Sequence, residues 1–253
     1  MKISVLLPEK NQSGKLLQHL RESILPYFDA APVEYEVLIC PNGCSEEDIL
    51  SLSEATKSLP ENVRVLPNAN PGKGEGVKQG ILASTGDYCL FMDADLATGL
   101  EAFSNVLPLL GKRDTIIASR DLKDSVYGQK QPFVRHVTHF LSRMVIASMF
   151  HLKVKDTQCG YKAFRTSVAK SMVAKQIITG FAFDVEYLYF LRLNGFSIAE
   201  IPCVWTDDPD STIKNKKKVY TAFYKDLKKI KKNKKNYLLT EQEKTLLEAH
   251  DAH

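Results

Sequence analysis

The sequence predicts an α/β protein with a Rossmann-like, mostly parallel sheet and helices on both of its faces. Three observations carry that expectation. Short apolar runs alternate with stretches of helical periodicity along the first half of the chain. The connections between them are short and are marked by proline, glycine and asparagine. One run, Tyr88-Cys89-Leu90-Phe91-Met92, is apolar throughout, as a strand covered on both faces must be.

Taken in order, Ile3-Ser4-Val5-Leu6-Leu7 is the first strand, ended by Pro8. Leu16, Leu17, Leu20, Ile24 and Leu25 then recur at helical spacing. Tyr35 to Ile39 is the second strand, and Pro41-Asn42-Gly43 turns the chain after it. Ser45, with acids at 46 to 48, starts a helix through Ile49, Leu50 and Leu52. Val63 to Leu66 is the third strand, and the glycine-rich segment 72–80 leads into a helix through Ile81 and Leu82. Tyr88 to Met92 is the fourth strand. Thr98-Gly99-Leu100-Glu101 fits a capping box opening a helix through Leu110, and Thr115 to Ala118 is the fifth strand. Residues 132–150 form a long helical pattern, with short strand and helix candidates up to Trp205. Thr240 to Glu243 is a second capping box, opening a terminal helix through Leu246 and Leu247.

At 253 residues, 44% of them hydrophobic and 25% charged, the composition is that of an ordinary globular chain. Met144 to Leu152, the longest apolar candidate, is about half the roughly 18–20 residues that a bilayer-spanning helix needs. The start, Met1-Lys2-Ile3-Ser4-Val5, has no signal-peptide layout. Cys40, Cys44, Cys89, Cys159 and Cys203 are scattered without C-x-x-C spacing, which argues against zinc or a disulfide framework and for a reducing, cytoplasmic setting. The net charge of +4 conceals a segregation: residues 214–253 hold twelve lysines and five acids, while residues 1–213 carry −3. The expected organisation is a catalytic unit over 1–212 and a lysine-rich helical tail over 213–253.

The most informative segment is Phe91-Met92-Asp93-Ala94-Asp95 at the exit of the fourth strand. On extended backbone, residues i and i+2 point the same way, so Asp93 and Asp95 can converge on one cation. A hard divalent ion such as Mg²⁺ or Mn²⁺ takes a few carboxylate oxygens together with substrate phosphate oxygens. Strand ends of open α/β sheets are also where ligands collect. The pattern therefore points to a metal-bridged nucleoside diphosphate; the plain alternative is a solvated loop.

Gly72-Lys73-Gly74-Glu75-Gly76 is neither a Walker loop nor a dinucleotide fingerprint. Two readings stay open for it, a turn before a helix and a close backbone approach to a nucleotide with Lys73 near phosphate. Arg120 and Arg135 are candidates for gripping a phosphate, because a guanidinium pairs bidentately with its oxygens. Asp184 and Glu186 lie in a helix, where i and i+2 do not share a face; Asp184 is the one expected at the site and Glu186 is expected at the surface. Trp205 is expected in the core rather than as a sugar platform. His136 and His139, three apart on a helix, are expected on a solvated face.

In order over residues 3–212, these segments resemble the family-2, GT-A-fold glycosyltransferases. The likeness is to polyprenyl-phosphate sugar synthases of the dolichyl-phosphate β-glucosyltransferase and dolichol-phosphate mannose synthase type. The matching segments are the Pro8 turn, Pro41-Asn42-Gly43, Gly72-Lys73-Gly74, Asp93-Ala94-Asp95-Leu96-Ala97-Thr98, Ala118-Ser119-Arg120, Asp156-Thr157-Gln158-Cys159-Gly160-Tyr161-Lys162, Phe183-Asp184-Val185-Glu186 and Glu200-Ile201-Pro202-Cys203-Val204-Trp205. The chain departs from the family pattern at Gln12, which stands where the first turn usually has an acid. It departs again at Pro41 and Asn42, in place of paired aspartates, and at Ala97, in place of a glutamine.

The resemblance implies a GT-A fold and transfer of a hexose from a UDP- or GDP-sugar to a polyprenyl phosphate with inversion. It implies that Pro8, Gln12, Asn42, Lys73, Asp93, Ala94 and Asp95 bind the donor, with Asp93 and Asp95 on Mg²⁺ or Mn²⁺. It places Arg120 and Arg135 near the acceptor phosphate and gives Asp184 an orienting role. Two other functions stand beside it, transfer to a saccharide or protein hydroxyl and a non-catalytic domain that binds nucleotide or membrane. Between Lys214 and Lys235 eleven lysines face one acid, with Tyr220, Phe223, Tyr224, Leu227 and Ile230 at helical spacing. That composition suits an anionic membrane surface rather than nucleic acid, and implies a peripheral location at the cytoplasmic face; the plain alternative is a solvated tail whose apolar stripe packs on the catalytic body.

Overall fold

The computed structural model describes residues 1–68, 70–128, 133–206 and 216–251. Strand β1 (Lys2–Glu9) leads into α1 (Ser13–His19), a π-helical turn (Leu20–Ile24) and α2 (Leu25–Ala30). Then follow β2 (Glu34–Pro41), α3 (Glu46–Thr56), β3 (Val63–Val65), α4 (Lys73–Ala83) and β4 (Tyr88–Met92). The short helix α5 (Phe103–Val106) precedes β5 (Thr115–Ala118) and β6 (Val126–Tyr127). The long helix α6 (Phe133–Phe150) is followed by β7 (Tyr161–Arg165), α7 (Thr166–Ala174), α8 (Phe183–Leu193), β8 (Ile198–Ile201) and β9 (Val204–Trp205). Helices α9 (Lys216–Lys232), α10 (Lys234–Tyr237) and α11 (Glu241–Asp251) complete the described chain.

Seven strands form one sheet in the order β3-β2-β1-β4-β7-β5-β8. All neighbours run parallel except β7, which lies antiparallel between β4 and β5. Alternation along β1 divides its side chains between two cores: Ile3, Val5 and Leu7 face α1 and α2, while Leu6 faces α4, α7 and α8. On the polar edge of the second core, buried Glu36 of β2 accepts from Ser4 Oγ at 2.7 Å, Thr85 N at 2.8 Å and Arg64 at 2.9 Å.

The structure corrects the sequence reading in four places. Strand β1 continues through Pro8 to Glu9, because Pro8 still aligns with Cys40 of β2. The box expected at Thr98 does not form: Thr98 is buried, its hydroxyl lies 3.5 Å from Cys159 Sγ, and 3₁₀ turns around α5 replace a continuous helix, one of them carrying Pro108. Glu186, expected at the surface, is 1% exposed. The fourth correction is the tail. Phe223, Leu227 and Ile230 of α9 and Tyr237 of α10 are buried in the same core as α8, so this segment is not a separate appendage. Its apolar stripe meets the body, leaving lysines outward. The boxes at Ser45–Asp48 and Thr240–Glu243 form as read, with Asp48 N 3.1 Å from Ser45 Oγ and Glu243 N 3.2 Å from Thr240 Oγ1.

Candidate active site

The two acids leave β4 on a loop stitched to its surroundings from three sides. Asp93 N donates to Gly160 O at 3.0 Å, Ala94 O contacts His19 Nδ1 at 2.9 Å, and Thr206 N donates to Ala97 O at 2.8 Å. Within the loop, Ala97 N donates to Asp95 Oδ1 at 3.0 Å, while Leu96 adopts a positive φ of 55°. Gly160 lies flat against Asp93, where a Cβ would overlap Oδ2. The loop is thus fixed by backbone bonds before any ligand arrives.

A cation already stands on Asp93: Lys73 Nζ lies 2.5 Å from its Oδ1. Lys73 begins α4, and its loop is held by the segment ahead of α8. Gly72, at φ +125°, is pressed against the Thr179 carbonyl, and Gln176 Nε2 donates to Gly74 O at 3.0 Å. Burial lowers the Lys73 ammonium's pKa, but Asp93, Asp184 and Asp95 outweigh it, and the net direction is upward. Lys162 is fully buried, 2.6 Å from Asp184 Oδ1, and also donates to Cys159 O. Both lysine ammoniums lie over the Phe91 ring, at 5.3 and 5.9 Å. Burial pushes the Asp184 carboxyl up, and Lys162 and Lys73 offset only part of that rise.

Arg120 is placed otherwise than a free phosphate clamp. Its Nε and Nη2 donate to the two oxygens of buried Asp156 at 2.6 and 2.9 Å, and its guanidinium lies 5.4 Å from the Trp205 ring centroid. Burial would raise the Asp156 carboxyl, yet Arg120 holds it well below the usual carboxylate range. Trp205 itself is 8% exposed and forms a wall, in keeping with its expected core position. Arg135 falls in the first turn of α6, and its side chain lies outside the described residues. The side chains of His136 and His139 lie outside them too.

The turns after β1 and β2 are governed by Glu9, which is not among the site residues expected from the sequence. Glu9 is 1% exposed. Its carboxylate accepts from Gln12 N at 2.6 Å and Cys44 Sγ at 3.0 Å, and its carbonyl accepts from Asn42 N at 2.9 Å and Asn42 Nδ2 at 2.8 Å. Pro8 and Asn42 are therefore buried supports of the turn, and Gln12 is the residue before α1 without a capping bond. Glu9, three residues before Gln12, is thus the acid of this turn, and its carboxylate is occupied by these hydrogen bonds.

Among the described residues, no group of three or more His, Cys, Asp or Glu side chains gathers at one point. Asp93 and Asp95 offer hard carboxylate oxygens, and the field at Asp93 already holds the ammonium of Lys73. The backbone there is a turn, Leu96 N donating to Asp93 O at 3.1 Å, and not the extended run expected to align the two side chains. Their carboxylate oxygens remain of the hard type that Mg²⁺ or Mn²⁺ takes together with phosphate oxygens.

Residues 4–173 match the family described as Glycosyl transferase family 2. A dolichyl-phosphate beta-glucosyltransferase of Dictyostelium discoideum is 32% identical over 217 residues, covering 81% of this chain and 66% of that protein. The chain spans about two thirds of the length of the curated relatives it matches. Glucosyl-3-phosphoglycerate synthase from Mycobacterium tuberculosis, solved with uridine diphosphate, superposes with a TM-score of 0.66 at 19% identity, covering 91% of this chain and 80% of that one. The same enzyme solved with Mn²⁺ and UDP-glucose gives a TM-score of 0.58 at 18% identity, over 92% and 76% of the two chains. At those identities the likeness establishes the fold, a GT-A sheet with its helices.

Proposed function

The chain belongs to glycosyl transferase family 2, and from that premise we propose that it transfers a hexose from a nucleoside diphosphate sugar to a polyprenyl phosphate. One observation carries the reading: Lys73, Asp93, Asp95, Lys162 and Asp184 share a single charged site at the end of β4. The name of the Dictyostelium relative supports the sugar and the acceptor class.

Asp93 and Asp95 would hold the divalent ion, which when bound neutralises charge on the departing diphosphate without proton transfer. Lys73, already on Asp93, is within reach of the same diphosphate and adds a second positive charge. Lys162 fixes Asp184, so that its second oxygen can orient a sugar hydroxyl or the acceptor. Arg120 is braced by Asp156 and Trp205, and in this reading its guanidinium stands near the acceptor phosphate. An acceptor phosphate oxygen then forms its bond to the anomeric carbon from behind while the bond to the diphosphate breaks, which inverts the centre. No general base is required, because a phosphate monoester with its second pKa at about 6 is largely ionised near neutrality. Such an acceptor is lipid-bound, which places the working enzyme at a membrane surface, in our reading the cytoplasmic face.

The test is calorimetric binding of UDP- and GDP-sugars with and without Mn²⁺, followed by transfer to a short-chain polyprenyl phosphate. The expected result is metal-dependent binding and turnover, both lost in Asp95→Ala. Absence of binding to every donor overturns the proposal. The raised pKa of Asp184 favours a second reading, in which it removes a proton from an alcohol acceptor. Turnover with a saccharide but not with the lipid phosphate, abolished by Asp184→Asn, selects that reading.

A further inference from the structure

Over its described side chains, 140–150, helix α6 is largely apolar on two sides. Ser142, Ile146 and Phe150 face inward, at 5%, 1% and 0% exposure. On the outer side Phe140, Leu141 and Met144 are 53%, 52% and 55% exposed, and Ala147 and Ser148 continue the strip. These positions share one face at the helical period. A helix at a water-facing surface ordinarily puts polar residues there. The whole of α6, Phe133–Phe150, contains no acidic residue.

Beside it lies the cationic helix α9. Ser142 Oγ is 3.4 Å from Tyr224 OH, and the Lys231 ammonium donates to the Met149 carbonyl and sits over the Phe150 ring. The outward side of α9 and α10 carries Lys225, Lys228, Lys229, Lys232, Lys234 and Lys235, all exposed, against the single acid Asp226, which pairs with Lys229 at 2.8 Å. Among the described residues no helix is long and apolar enough to cross a bilayer.

We propose that α6 and α9 together form one docking face for an anionic lipid bilayer. The Phe140-Leu141-Met144 strip lies in the plane of the interface among the acyl-chain boundary, and the α9 lysines rest on lipid headgroups. An apolar strip flanked by six exposed lysines against one acid is complementary to that surface in both of its layers. The face reassigns the contact expected from the tail: the tail's own stripe is buried, so α6 supplies insertion and α9 supplies only charge. Its biological sense rests on the polyprenyl-phosphate reading. Arg143 of α6 pairs with Asp121 at 3.0 Å, the neighbour in sequence of Arg120, so α6 is tied to the segment that the proposed function sets near the acceptor phosphate. A lipid chain leaving a phosphate held there would enter the bilayer alongside α6.

The experiment is co-sedimentation of the full chain with phosphatidylcholine vesicles and with vesicles also containing phosphatidylglycerol, at low and high salt. Binding to the anionic vesicles that weakens with salt is expected. The triple variant Phe140→Ser, Leu141→Ser, Met144→Ser, altered only at exposed positions, should keep its melting temperature and its UDP–Mn²⁺ affinity. Its vesicle partitioning should fall at least about tenfold. The pair Lys228→Glu, Lys232→Glu should remove the salt-sensitive part. The inference fails if the wild-type chain ignores anionic vesicles or the triple variant binds them equally well. It also fails if the strip instead drives self-association that the triple variant abolishes. Transfer to a water-soluble isoprenyl phosphate without vesicle binding sinks this face and leaves the function standing. Vesicle binding by a chain that binds no nucleotide does the reverse.

Discussion

Gly160 and Asp93 touch so closely that one methyl group separates a working site from a displaced one. Gly160→Ala should leave the circular dichroism spectrum intact while lowering kcat/KM about a hundredfold, since misplacement by about 1 Å at reacting groups costs that much. Lys162 offers a second single-residue test. It neutralises Asp184 in a site both residues share with little water, so Lys162→Met strands a buried carboxylate and should cost about 3–5 kcal/mol in urea unfolding. Glu36 governs acid behaviour. Burial alone would raise its pKa, but the hydrogen bonds from Ser4, Thr85 and Arg64 lower it from 4.5 to about 2. A carboxylate depressed in the folded state binds fewer protons there than in the unfolded chain. Its contribution is therefore complete above pH 4.5 and is lost as pH falls toward 2. Melting temperature should drop across that interval, and Glu36→Gln should melt lower at neutral pH with a shallower acid decline.

At the level of elements, the C-terminal helices brace the loop that carries Lys73. Tyr237 OH of α10 donates to Glu186 at 2.6 Å, and the same carboxylate accepts from Ile177 N and Ile178 N at 2.8 and 3.0 Å. That segment packs on Gly72 and Gly74, either side of Lys73. Tyr237→Phe keeps the ring but removes one of the two hydrogen bonds at Glu186 Oε1, leaving the one from Ile177 N, and should weaken UDP–Mn²⁺ affinity by several fold in calorimetry with kcat nearly unchanged. Leu227→Ala, at a fully buried position, should destabilise the protein by about 2–5 kcal/mol. The Tyr237 contact was not legible beforehand. Phe223, Leu227 and Ile230 stand at helical spacing, which allows a stripe packed on the body as well as one laid on a membrane; only their partners in α8 decide for the body. Local signals fared better where they were self-contained: the boxes at Ser45 and Thr240 need only neighbours in sequence to form. Thr98 fits the same box by sequence, but burial against Cys159 claimed its hydroxyl. Glu186 was misjudged because a helix pattern does not reveal which distant amides are waiting for an acceptor.

Across the whole molecule, alternating apolar runs sufficed to read a mostly parallel sheet, since each βα unit is written in adjacent residues. The place of Asp93 and Asp95 at the exit of β4 was readable for the same reason; the turn they form, and the contacts of Asp93 with Lys73 and Gly160 from distant segments, were not. The shared core of body and tail has a measurable outcome. Trp205, the only tryptophan, lies in the core on one side of the sheet and α9 in the other. Its fluorescence and the far-ultraviolet dichroism should lose structure at one urea midpoint, whereas an independent tail would separate the curves. The reversed strand β7 also sets the order in which the protein can be made. During synthesis β4 and β5 emerge with their facing edges open, and the wedge that joins them is still in the ribosome until residue 165 appears. A nascent chain stalled before that point exposes two adhesive strand borders, so this stretch of translation is where a chaperone would have the most to shield.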